Sequence, residues 1–150
     1  MPASLQSFLA AATRQAAADL ITALEQLPDE KRGWSPLGKG RSAVDQAAEC
    51  AILNGITARA IVSLAFPPDF DFAAYEAEKK AMATDWPRVK ALLQENAEKA
   101  AQAILGTPDD CLDRTLDLPW GPMLLTQVMA YPYWNMTYHE GQTNYVGSLA

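Results

Sequence analysis

Leu5, Phe8, Leu9, Ala12, Ala16, Leu20, Ala23, Leu24 and Leu27 recur at three- and four-residue steps, the spacing that lays one apolar stripe along an α-helix. Ser4 offers a cap at its start and Pro28 ends it. A second stripe runs through Val44, Ala48, Ile52, Ile56 and Val62 and is closed by Phe66, Pro67 and Pro68. Ser42, with Asp45 three residues on, opens it in the manner of a capping box that uses the shorter acid. Gly55 inside this helix costs about 1 kcal/mol relative to alanine, which predicts another backbone passing close by. A third stripe carries Val89, Leu92, Leu93, Ala100 and Ile104, with Thr84 or Asp85 as cap, Pro87 in the first turn, and a stop at Gly106 and Pro108.

The last stripe begins near Pro122 and runs through Leu124, Val128, Tyr131, Asn135, His139, Gln142 and Val146. Pro132 inside it removes one backbone hydrogen bond and predicts a kink. A short helix is expected from Ala73 to Ala83, between the second and third long ones. In "PDEKRGWSPLGKGR" Gly and Pro are spaced too closely for regular structure, so this segment reads as a loop, pinned to the bundle by Trp34. "TPDDCLDRTLDLPWG" reads as a second loop, and no alternating apolar run of useful length occurs anywhere. The expected fold is all-α, one domain over residues 1–150: a bundle of four long helices with one short extra helix.

Composition narrows the partners. A chain of 150 residues, 49% hydrophobic, suffices for one sizeable core. Twelve basic against eighteen acidic residues leave a net charge of −6 with no offsetting run of Lys and Arg, so no nucleic-acid partner is expected. Cys50 and Cys111 lie far apart without a CxxC pattern and are expected to be free thiols in a reducing cytoplasm. Gln6, Arg14, Gln15 and Asp19 interrupt the apolar N-terminal stretch too often for a signal segment or a membrane span. A soluble, cytoplasmic protein without membrane contact is expected.

The candidate chemistry lies in polar residues on apolar stripes. His139, the only histidine, stands one turn after Asn135 on the last stripe, and Glu49 shares a stripe with Ile52, Leu53, Ile56 and Ala60. Removing a carboxylate from water without a partner costs several kcal/mol. If the second and last helices are neighbours, Glu49 and His139 offset each other's desolvation. Three readings are open: a buried Glu–His hydrogen bond that fixes helix register; a divalent-metal site with Glu49 and His139 as ligands and Asn135 supplying an amide oxygen or holding a water; and metal-free acid–base chemistry in which Glu49 tunes His139. No serine elbow, glycine-rich phosphate loop or HExxH motif points to a particular reaction. Cys50, about 100° around the helix from Glu49, is expected to point elsewhere. Tyr131, Tyr133, Trp134 and Tyr138 crowd the end of the last helix, most of them expected as packing residues, and Tyr131 and Tyr138, with Gln142, would line the mouth of any pocket.

The stretch "YHEGQTNYVG" resembles the closing motif of the DinB/YfiT-like superfamily, in which a histidine, a variable residue, Gly and Gln sit near the end of the last helix. The likeness extends to a first helix ending in "LPDEKRGWSP", a Ser-capped second helix and the approach "LPWGPMLLTQVMAYPYWNMTYHEGQ". It covers most of the chain, with specificity confined to the terminal motif. The resemblance implies a four-helix bundle with up-down-down-up connectivity, in many relatives a homodimer. The metal triad of such proteins, one histidine from the second helix and two from the fourth, falls position by position on Glu49, Asn135 and His139, of which His139 alone keeps the residue type. The resemblance further implies a degenerate site for a divalent metal, Zn or Ni, in a thiol transferase or hydrolase acting on a small molecule; relatives also include maleylpyruvate isomerase-like enzymes. The alternative is a non-catalytic binding or structural bundle in which Glu49 and His139 form a metal-free buried pair.

Overall fold

The computed structural model describes residues 3–149. Six α-helices and one small hairpin are arranged in the order α1 (Leu5–Gln26), α2 (Asp29–Arg32), α3 (Ala43–Ser63), α4 (Phe72–Met82), α5 (Trp86–Leu105), β1 (Thr115–Leu118), β2 (Gly121–Leu124) and α6 (Leu125–Leu149). The caps expected from the sequence form. Ser4 and Ser7 bond reciprocally at the start of α1, Ser42 Oγ accepts from the amide of Asp45, and Asp85 accepts from the amide of Arg88. Each satisfies an amide that the first helical turn leaves without a partner. At Ser42 the box is half made, because the Asp45 carboxylate turns to Arg41.

The four long helices pack in a ring in which α1 and α3 each touch both α5 and α6 extensively. Two apolar clusters fill it. One holds the start of α1 (Leu9, Ala10), the ends of α3 (Ala60, Ile61) and α5 (Ala101, Ile104), and the start of α6 (Leu125, Val128, Met129). The other holds the end of α1 (Leu20, Leu24, Leu27), the starts of α3 (Ala43, Val44) and α5 (Val89, Leu93), and the later part of α6 (Met136, Val146). Thus α1 and α6 run in one direction, α3 and α5 in the other. Ion pairs Arg14–Glu98 and Lys90–Glu25 repeat the antiparallel sense of α1 and α5. No helix among the described residues is long and apolar enough to cross a membrane.

Several expectations need correction. The segment after α5 is not all loop: Thr115–Leu118 and Gly121–Leu124 pair as an antiparallel hairpin. Four-residue strands with one fully buried side chain, Leu116, produce no legible alternation. The hairpin takes up Pro122 and Leu124, so α6 starts at Leu125 and Leu124 lies half-exposed outside the helical stripe. α6 continues through Pro132, which is buried and gives the Val128 carbonyl no donor. Asp29–Arg32 forms one helical turn within the expected loop, and Trp34 packs against the core as expected. Leu5, Phe8 and Val62, assigned to buried stripes, face outward.

Gly55 is also explained differently. What fills the space beside it is a side chain, not a backbone: a Cβ there would stand 2.7 Å from Asn96 Nδ2, which donates to the Ala51 carbonyl at 2.8 Å. Gly55→Ala is expected to destabilise the protein by about 1 kcal/mol, because loss of the buried hydrogen bond outweighs the gain in helix propensity. In an Asn96→Ala background the same change is expected to stabilise it. A double-mutant cycle by urea denaturation reads the sign reversal; additive effects would refute the steric account.

Candidate functional site

α3 and α6 run antiparallel along a seam with four polar rungs. Gln46 and Glu49 meet His139, Cys50 meets Asn135, and Asn54 meets Met136. Each partner on α6 lies on the face that the three-four spacing turns inward, and Asn135 and His139 are both buried. His139 Nε2 lies 2.6 Å from Glu49 Oε2. The other carboxylate oxygen, Oε1, accepts from Arg41 Nη1 at 3.1 Å, while Arg41 Nε donates to Asp45 at 2.6 Å. Arg41 precedes the cap of α3, so its side chain folds back along the first two turns of the helix it introduces.

The other ring nitrogen, Nδ1, faces two amide oxygens, Gln46 Oε1 at 2.7 Å and Gln142 Oε1 at 2.8 Å. Gln46 is oriented by its own amide nitrogen, which donates to the Arg41 carbonyl at 3.3 Å. With oxygens at both nitrogens, the arrangement is complete only when both carry hydrogen.

Burial alone would push the Glu49 carboxyl up. The hydrogen bond from His139 and the charge of Arg41 outweigh burial and hold it at about 2. Desolvation likewise works against charge on Arg41, and its bonds to Asp45 and Glu49 keep it above its ordinary value. Burial is the first cause, and the nearby Glu49 charge the second, that lift the Tyr131 phenol to about 12. The Cys50 thiol is fully buried, and desolvation raises it well above its ordinary range. It is a packing group, not a nucleophile.

Of the three residues assigned to a metal, Glu49 and His139 meet, whereas Asn135 is engaged one rung deeper. Its amide donates to Cys50 Sγ at 3.6 Å, so Cys50 points at α6 rather than away from it. Among the described residues no three His, Cys, Asp or Glu side chains come together as a metal-binding group. A cavity of about 430 Å³ opens over the cluster between α6 and residues 36–41. Tyr138 and Gln142 line it as expected, with Arg41, Gln46 and Tyr145; Tyr131 does not. A larger groove of about 1480 Å³ lies between α3 and α5 and shares no residue with the cluster. No family profile, curated protein or solved structure matches the chain.

Arg41 and Gln46 were missed by sequence reasoning. Gln46 precedes Glu49 by three residues on the same stripe and was legible; Arg41 lies in a loop whose path no periodicity predicts.

Glu49 titrates at 4.5 in the ordinary case and at about 2 when folded. A depressed carboxyl contributes stability that is present above pH 4.5 and lost as pH falls from there through about 2. Glu49→Gln is expected to flatten this acid limb. Thermal melts between those pH values check it, and an unchanged slope in Glu49→Gln would contradict the assignment.

Proposed function

We propose that this chain is a DinB-like four-helix bundle with up-down-down-up connectivity, in which a metal-free Arg41–Glu49–His139 cluster replaces the metal centre and organises a small-molecule binding pocket. The helix directions support the connectivity. Support for the metal-free reading comes from one observation above all: the Glu49 carboxylate is already shared between an imidazole and a guanidinium.

A divalent ion needs ligand atoms with free lone pairs pointing at one position. Here His139 Nε2 is turned to Glu49 and Nδ1 to two glutamine oxygens, so neither ring nitrogen faces an open position. A metal at Glu49 would also sit beside the fixed charge of Arg41. The donor set therefore does not fit Zn or Ni, and no reaction step is assigned to either. The cluster offers binding and register: it fixes α3 against α6 and holds Gln46 and Gln142 in defined orientations at the cavity.

The metal-dependent transferase or hydrolase implied by the resemblance makes the opposite prediction. Protein purified without a chelator or a histidine tag is expected to carry no stoichiometric metal. Zn²⁺ or Ni²⁺ is expected to leave its melting temperature unchanged, whereas a bound ion at a hundred times its dissociation constant would add about 2.7 kcal/mol. His139→Ala is expected to lose about 2 kcal/mol in metal-free buffer, since Glu49 then keeps one partner. Stoichiometric metal that disappears in His139→Ala would overturn the proposal.

A further inference from the structure

Two glycines in the middle of long helices have opposite surroundings. Gly55 is required by the Asn96 side chain against it. Gly141, within α6, has nothing within 4 Å of where its Cβ would stand. A helical glycine costs about 1 kcal/mol relative to alanine, and no neighbouring atom accounts for that cost at Gly141. It lines the cavity over the cluster. Its missing side chain leaves open space in that cavity.

The walls define what fits the space. Tyr138 and Tyr145 lie seven residues apart on α6, roughly 10 Å along its axis. These residues are 53% and 66% exposed and flank Gly141 and Gln142. Trp134 stacks on Tyr138 with centroids 5.7 Å apart, and His139 meets the Tyr138 ring edge-on at 5.3 Å, so Tyr138 is held in place. Pro36 forms part of the facing wall. Aromatic and proline surfaces suit a flat ring.

The polar groups define its chemistry. Because Gln142 Oε1 faces His139 Nδ1, its Nε2 is left over as a donor with no protein acceptor among the described residues. Arg41 adds guanidinium hydrogens not used by Asp45 and Glu49. The site thus presents donors to an acceptor. Arg41, the charged residue that lines the cavity, is already paired with Asp45 and Glu49, so the site offers little net attraction for an ion of either sign.

We propose that the cavity between α6 and residues 36–41 binds an uncharged, planar aromatic molecule bearing a carbonyl oxygen, with the ring against Tyr138 and Tyr145 and the oxygen accepting from Gln142 Nε2. This rests on the metal-free reading of the cluster, which leaves Gln142 oriented by His139. The probes are benzamide, benzoate and benzylamine, titrated into the full chain and followed by amide NMR. Benzamide is expected to give saturable shifts confined to residues 36–46 and 138–146, with a dissociation constant at least about 10-fold lower than either ion. Gly141→Leu is expected to abolish those shifts while melting no lower than the wild type, because the new side chain enters open space.

Benzoate or benzylamine binding as tightly as benzamide would overturn the proposal, as would absence of saturable benzamide shifts in these segments. Wild-type affinity in a folded Gly141→Leu variant would do the same. If that variant melts lower, Tyr145→Ala, at an exposed position, takes its place and is expected to weaken benzamide about 10-fold; unchanged affinity would overturn the proposal. Failed benzamide binding in protein that takes up no Zn²⁺ sinks this inference alone, whereas Zn²⁺ uptake sinks the reading beneath it.

Discussion

A half-buried carboxylate, Glu49, sets the terms for one whole side of this bundle. Its side chain is 17% exposed, too little for water to solvate the charge fully, so the fold must supply partners. Two side chains do so from different parts of the chain: the Arg41 guanidinium from the segment before α3 and the His139 imidazole from α6. The requirement fixes α6 in rotation, since turning it by one residue would move His139 about 100° away. It also fixes the segment before α3, since Arg41 reaches Glu49 only while that segment lies against the helix.

The rest of the α3 surface is chemically plain by comparison. Ala43, Ala47, Ala48 and Ala51 are fully buried, and such small side chains allow close helix approach but specify register weakly. A sliding α3 would exchange one alanine for another at little cost. The polar rungs remove that freedom, because each demands its own partner: Glu49 and Gln46 with His139, Cys50 with Asn135, Asn54 with Met136. Alanines thus supply proximity and the polar rungs supply uniqueness.

Helix positions were legible because capping residues and apolar spacing carry local information: Ser4, Ser42 and Asp85 each cap the helix they precede. The stripe through Asn135 and His139 was legible for the same reason. The features that escaped depend on tertiary contact. Leu116 is buried only because the hairpin folds onto the end of the bundle, and a strand with one inward residue leaves no periodic trace. Phe8 and Val62 fit a helical period yet face outward, since period specifies an angle and not the neighbour it meets. The pairing of Glu49 with His139 could be anticipated from two stripes, but the diversion of Asn135 to Cys50 turns on how deeply each helix sits.

A carboxylate in this position can be neutralised by a metal ion or by protein side chains, and here Arg41 and His139 hold its two oxygens. An ion at Glu49 would be repelled by Arg41 beside it, and ligation by His139 Nε2 would first require the loss of its bond to Glu49. In the proposed reading, then, the departure from a three-histidine site involves more than lost ligands. With a glutamate at position 49, the guanidinium at position 41 and the imidazole at position 139 each take one of its oxygens, and the glutamines around the ring complete its hydrogen bonding. On that reading the cluster forms a polar floor beneath the tyrosines that line the cavity, suited to recognising a molecule.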